Sequence, residues 1–275
     1  SIIQDHRGVM YIGNNSGVIE YDGRQWRLIT PPNNSVVLDL ALHEKVVYVA
    51  AFDEFGYLAC DSVGEIQYVS LLDRLDEEYH GFNYVEKIIP ADDGVYFLTK
   101  DLIFHYYENK ISVIKADLLS GYGFSIYDEP LVINRNPSGI YRIYKDKLEL
   151  LPNTSQFDES FGKYVLLPYK DKKLLIATEK KGLYIYNFND FLQDEFYNTK
   201  PDIKPFKNDI SGFLNQYQLY SGIQIAPNLY AFGTLKGGII FTDKDGRLIR
   251  LVNQANGLQN DDILNFYLDR YNDLW

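Results

Sequence analysis

Four histidines, one cysteine and a large stock of carboxylates are the side chains from which this chain could build a reactive centre. His6, His43, His80 and His105 stand far apart, with no His-x-x-His pair, no glutamate at helical spacing and no thiolate partner. A zinc centre needs three or four converging ligands, so metal chemistry is not expected. Cys60 is the only cysteine, which leaves no intrachain disulfide and no cysteine metal cluster. Asp243-x-Asp245-Gly246 has the start of a calcium loop but lacks the further ligand positions and the closing glutamate. Lying between two apolar runs, it reads as a hairpin turn. Gly121-x-Gly123 lacks the third glycine and the helix of a dinucleotide site, and no Gly-x-Ser-x-Gly elbow exists. Asp76, Glu77 and Glu78 could supply the acid and base of a glycoside hydrolase. Among 38 acidic residues such neighbours arise by chance, and a solvated loop explains them. No cofactor is expected.

The elements that must position any site are strands. Tyr (24) and Phe (16) dominate the aromatic set, and both favour pleated, half-buried surfaces. A net charge of −11 argues against nucleic acid and anionic lipid as partners, since both need a positive field. No apolar run approaches the roughly 20 residues that cross a bilayer. The chain opens inside a structural unit, so the expectation is a segment of a longer protein.

One phrase recurs along the sequence. Asp5-x-x-Gly8 leads into an apolar run over 9–13, Asn14-Asn15 and Gly17 make a turn, a second run covers 18–21, and Asp22-Gly23 signals a hairpin before 25–29. Further copies are expected over 36–71, 84–114, 123–151, 164–186 and 223–251, and a last one starts at 263. The offset of 264 from Asp5 to Asp269, over six intervals, gives a mean period of about 44, typical of four-stranded propeller blades. A four-stranded meander cannot bury both faces alone, so neighbours must stack. The expected fold is all-β: a seven-bladed β-propeller of four-stranded antiparallel blades, the last blade incomplete, with residues 1–275 forming a single domain. The longest connection, 187–220, is expected to carry a short helix around 189–196.

Tyr11, Tyr48, Tyr96, Tyr141, Tyr184 and Tyr230 fall on strands and are expected to pack between blades. Tyr79, Phe82, Tyr122, Phe124 and Tyr217 fall in or beside connections, where aromatic rings can stack on sugars. In a meander blade the second-to-third turn emerges at the same end as the link to the next blade. Long links expected at 75–82, 116–124 and 190–220 open at that end too. The candidate ligand-binding residues are therefore Asn14, Asn15, Glu54, Phe55, Lys100, Asp101, Arg135, Glu179, Lys180 and Lys236.

The phrase Asp-x-x-Gly, apolar-aromatic-Ile-Gly-Asn/Thr, Gly-Leu/Val, Tyr resembles the repeats of the two-component regulator propeller family. It is carried by 5–21, 173–186 and 228–241, with 269–275 as an opening half. The run 48–58, with 68–72 after it, resembles the second blade of Bacteroidetes-type triple-tyrosine sensor proteins. The fourth unit departs from the pattern. The resemblance implies an extracytoplasmic, periplasmic sensor region followed in the longer chain by a triple-tyrosine domain, a membrane helix and a cytoplasmic output. It also implies that ligands are often polysaccharide breakdown products.

The expectation is thus a non-enzymatic sensing propeller. Its partners would be a small-molecule ligand such as an oligosaccharide, the downstream domains of the same chain and a second copy in a homodimer. The alternatives are a carbohydrate-active propeller hydrolase or lyase and a protein-interaction scaffold.

Overall fold

The structure, a computed structural model, describes residues 1–117, 119–188 and 202–275. Six sheets follow one another, each an antiparallel meander of four consecutive strands. The first holds β1 (Ile2–Gln4), β2 (Met10–Asn14), β3 (Gly17–Tyr21) and β4 (Trp26–Ile29). The second holds β5 (Val37–His43), β6 (Val46–Ala51), β7 (Glu54–Cys60) and β8 (Ile66–Ser70). The third runs β9 (Lys87–Ala91), β10 (Gly94–Leu98), β11 (Leu102–Tyr107) and β12 (Lys110–Lys115). The fourth runs β13 (Leu119–Ile126), β14 (Glu129–Arg135), β15 (Ser138–Tyr144) and β16 (Lys147–Leu150). The fifth has β17 (Tyr164–Tyr169), β18 (Lys173–Thr178), β19 (Gly182–Tyr186) and β20 (Ile203–Pro205). The sixth has β21 (Leu219–Ala226), β22 (Leu229–Thr234), β23 (Ile239–Asp243) and β24 (Leu248–Val252). The chain forms two compact units, Ser1–Glu149 and Leu150–Trp275.

The Asp-x-x-Gly phrase proves to be one hairpin turn used four times. Asp5 Oδ1 accepts the N–H groups of Arg7 and Val9, while the Gly8 N–H donates to the Asp5 carbonyl. Asp61, Asp243 and Asp269 make the same three bonds at the same spacings, with Asn272 in the glycine position of the last. A short carboxylate that caps its own backbone two and four residues on stabilises the turn wherever it occurs. The calcium-loop look of Asp243 to Gly246 is this turn.

The second-to-third turn has its own device. Thr99, Thr178 and Thr234, each buried, close the third, fifth and sixth sheets. Each hydroxyl donates to a carbonyl at the start of the third strand, from Leu102, Gly182 and Gly238, and accepts a turn N–H, from Asp101, Lys181 and Gly237. In the first and sixth sheets a glycine opens the third strand's side of this turn. At Gly17 (φ +140°) and Gly238 (φ +81°), a Cβ would run into the carbonyl of Ile29 or Val252 on the fourth strand.

Sheets pack on their sequence neighbours within each unit, and the second strands of the second to sixth sheets are buried on both faces. In β10, Val95 and Phe97 face the second sheet's Tyr48, Ala50 and Phe55, while Tyr96 and Leu98 face the fourth sheet's Val132 and Tyr141. This is why such strands read as unbroken apolar runs rather than as alternation. In the second unit, the fifth and sixth sheets meet through Val165, Leu175 and Ala177 against Tyr230 and Phe232. Tyr11, Tyr48, Tyr96, Tyr141 and Tyr230 are buried between strands as expected, and Tyr184 is half-buried.

Several boundaries differ from the sequence expectation. The first sheet is complete, because β1 pairs with β2 ahead of Asp5. The fourth, which fits the repeat poorly, is still a four-stranded meander. The link expected over 116–124 is largely β13, so Tyr122 and Phe124 are strand residues. The fifth sheet gains β20, and helix α1 (Ser211–Tyr217) precedes the sixth. The helix expected around 189–196 lies outside the described residues. Beyond the sixth sheet, a single bridge between Leu268 and Leu274 closes the turn at Asp269, the start of a further hairpin.

Candidate functional site

In the first unit the candidate turn residues divide into exposed tips and buried props. Asn14 Oδ1 accepts the Ser16 N–H at 3.1 Å, which shapes the turn and leaves Asn15 at its tip. Lys100 and Asp101 give their carbonyls to the N–H groups of Leu119 and Ala116, tying the link to the turn, and keep exposed side chains. Arg135 is exposed, with its carbonyl accepting the Ser138 hydroxyl.

Glu54 and Phe55 are corrections to the expected binding turn. The turn in the second sheet is only Phe52-Asp53, because Glu54 already pairs with Ala51. Phe55 is wholly buried, stacked on Phe104 at 5.0 Å and packed on Phe97 at 4.7 Å. Its side chain cannot reach a ligand without unpacking the core. Glu54 is also buried, and its Oε1 accepts from the Tyr68 hydroxyl (3.0 Å), the Ser70 hydroxyl (2.9 Å) and the Phe55 N–H (2.9 Å). Burial pushes its carboxyl above the usual range, and these three bonds only partly offset that. The folded chain therefore holds this proton to higher pH than the unfolded chain does. The resulting stability is full below the unfolded pKa and is lost as pH rises through the folded one. Glu54→Gln keeps an oxygen for all three donors and has no charge to bury. Thermal unfolding should show it equal to the parent near pH 4 and a few degrees more stable near pH 7. A variant less stable at both would show that the carboxylate itself is needed.

In the second unit the structure does bring the candidates together, through α1. Asn215 on this helix donates to the Lys180 carbonyl at 3.2 Å, and the Tyr217 carbonyl accepts the Leu235 N–H at 3.2 Å. The helix thus ties the Glu179–Lys180 turn to the Leu235–Lys236 turn. Glu179 is held by two bonds to the Lys163 backbone, and the Lys180 N–H donates to the Phe161 carbonyl. Lys180 and Lys236 are exposed, while Phe161, Phe213 and Tyr217 are half-buried beside them, with the Lys163 ammonium 3.1 Å from the centroid of the Tyr220 ring. Cations beside aromatic faces, with amide and carboxylate groups between, suit a polar ligand that has flat apolar faces.

Phe161, Phe213 and Asn215 were not among the sequence candidates. Phe213 and Asn215 lie on a helix of seven residues with only Leu214 buried, and Phe161 ends a single 3-10 turn (Glu159–Phe161); both are too short to show a period. A local signal exists in Asn208, whose Oδ1 collects the N–H groups of Ile210 and Ser211 at the helix start. Among the described residues, no group of His, Cys, Asp and Glu is placed to hold a metal ion.

Two cavities in the first unit lie elsewhere, between the first and second sheets. One of about 350 Å³ sits at the opposite, hairpin end, between the Asp5 turn and Lys45. The other, about 440 Å³, runs along the outer strands β4 and β8.

No family model matches the chain, and no curated protein matches it by sequence. Solved structures do match. The extracellular domain of the one component system BT4673 from B. thetaiotaomicron is similar over 100% of this chain, with TM-score 0.68 and 16% identity. The extracellular domain of the hybrid two component system BT3049 from the same organism is similar over 100%, with TM-score 0.55 and 15% identity. The chain spans 36% and 42% of those two structures. The WD40 β-propeller domain of Doa1 is similar with TM-score 0.64 and 10% identity, over 100% of this chain and 90% of that one. Consecutive four-stranded meanders, stacked on their sequence neighbours within each unit and similar to propellers over the whole chain, make this a β-propeller fold.

Proposed function

We propose that the chain is the sensing propeller of a bacterial signal-transduction protein, on the extracytoplasmic side of the membrane, and that it works by binding rather than by chemistry. The observation that carries this reading is the likeness over the full chain to extracellular domains of one- and two-component systems. The resemblance of the Asp5 to Tyr21 phrase to two-component regulator propeller repeats supports it independently. In this reading residues 1–275 act as one propeller domain, joined to downstream domains of the same chain and working as a dimer. The ligand is a small molecule of oligosaccharide type, taken at the turn end. In the second unit its contacts are Glu179, Lys180 and Lys236, flanked by Phe213 and Tyr217 of α1.

Glu129 favours binding over hydrolysis. Burial raises its carboxyl as a general acid would need, but it is committed to Arg142, which also pairs with Glu149 at 2.8 Å. Among the described residues no helix is long and apolar enough to cross a membrane.

A thermal-shift screen of the chain against oligosaccharides and peptides tests the proposal. A concentration-dependent rise in Tm is expected with an oligosaccharide. Lys180→Ala and Lys236→Ala, both at exposed turn tips, should abolish the rise without changing the unliganded Tm. Stabilisation by no soluble ligand, together with tight binding of a protein partner, would replace this reading with a scaffold.

A further inference from the structure

The cavity at the hairpin end of the first two sheets has a lining that the turn geometry does not require. Asp5 is buried and receives Arg7 twice, from Nε at 2.8 Å and Nη2 at 2.7 Å. Arg7 Nη2 also donates to the Tyr11 hydroxyl at 2.9 Å. The guanidinium is therefore held in one orientation, half-exposed at the cavity, and its Nη1 has no partner among the described residues. The other three copies of the turn show what is surplus. Asp61, Asp243 and Asp269 make the same backbone bonds with Val63, Asp245 and Tyr271 in the place of Arg7. In two of those copies another side chain donates to the same oxygen, Gln67 Nε2 to Asp61 Oδ2 and Trp275 Nε1 to Asp269 Oδ2, so what arginine adds beyond that donor is its charge and an unpaired Nη1 at the cavity.

A second cation and an imidazole line the same cavity. Lys45 at the β5–β6 turn and His6 are exposed, and neither has a carboxylate partner among the described residues. The lining also has apolar residues, among them Val47, Leu58 and Ile66. Between these two sheets about 350 Å³ stays open, within the range of small-ligand pockets. Ile66 also lines the cavity along β4 and β8, so an apolar body has room to extend. With a chain charge of −11, the long-range field does not attract anions, and selectivity must come from these fixed short-range donors.

We infer that this cleft binds a small organic carboxylate with a branched or aromatic apolar body. Arg7, Lys45 and His6 would hold the carboxylate, and Val47, Leu58 and Ile66 would take the body. The inference concerns the end opposite to the oligosaccharide turns and does not rest on that reading.

Cys60 gives a direct test. It is exposed, lines this cavity and is the only cysteine, so its alkylation by neutral iodoacetamide reports on occupancy. 3-Phenylpropionate and 4-methylpentanoate should slow alkylation several-fold and saturably, whereas their primary amides and inorganic phosphate should not. Lys45→Gln, on an exposed turn, should raise the half-protecting concentration roughly fivefold. Arg7→Gln should raise it roughly tenfold or more. If Arg7→Gln unfolds, Lys45→Gln and His6→Gln carry the test. Equal protection by acids and amides, protection by phosphate or neutral oligosaccharides alone, or no protection up to about 10 mM acid would each overturn the inference.

Discussion

Replacing Phe55 by alanine is expected to destabilise the protein by roughly 3–5 kcal/mol, with unfolding by denaturant as the readout. The ring is completely buried and touches aromatic partners on the neighbouring sheet and a link: Phe97 and Phe104 on the third sheet and Phe82 in the link between the second and third sheets. Truncation removes its transfer free energy and leaves a cavity, because strands hydrogen-bonded on both sides cannot close in. The aromatic contacts add about 0.5–1.5 kcal/mol each beyond area burial. Phe55→Leu, which refills much of the volume, should recover over half of the loss. Were Phe55 a ligand contact, Phe55→Ala would instead leave the midpoint near the parent's and weaken binding alone.

Asp5→Ala is expected to cost about 3 kcal/mol and to flatten the acid limb of the stability profile. The carboxylate accepts two backbone N–H groups and two donors of Arg7, so its loss strands all of them at once. Burial alone would raise its pKa, but the bonds from Arg7 and from Val9 N–H outweigh that and hold it below the usual carboxylate range. A depressed carboxyl contributes stability that is present above its unfolded pKa of about 4 and lost as pH falls through the folded value. The parent should lose this contribution on acidification below about pH 4, while Asp5→Ala lacks it at every pH. Arg7→Gln should cost less than Asp5→Ala, because the turn forms without arginine in three other places. Equal losses in the two variants would mean that the ion pair, not the turn, is the stabilising element.

The turns were legible in the sequence because their chemistry is local. An aspartate that caps its own backbone at two and four residues needs only itself and its neighbours, so Asp5, Asp243 and Asp269 announce their hairpins. The threonine and glycine of the second-to-third turn are equally self-contained at Thr178 and Gly182. Repetition of such phrases at about 44 residues was enough to imply stacked four-stranded sheets. The turn at Asp53 was misjudged because its length depends on pairing. Glu54 joins β7 only once Ala51 lies opposite, and Gly56 lets the Val69 carbonyl and the Tyr68 side chain come close. α1 escaped notice because seven residues with one buried side chain carry no period. β20 did too, because it pairs with β19 across a long insertion.

The sequence by itself determined the repeating unit, most of its turns, the burial of five of the six strand tyrosines and the net acidic charge. Each of these depends on neighbours a few residues apart or on simple sums. Tertiary structure alone decided which candidates share a site. Lys180 and Lys236 are joined because α1 spans their turns. Arg7 and Lys45 line one cavity because two separately folded sheets leave a gap. How closely two packed faces meet is a property of pairs of surfaces that no local stretch of residues encodes.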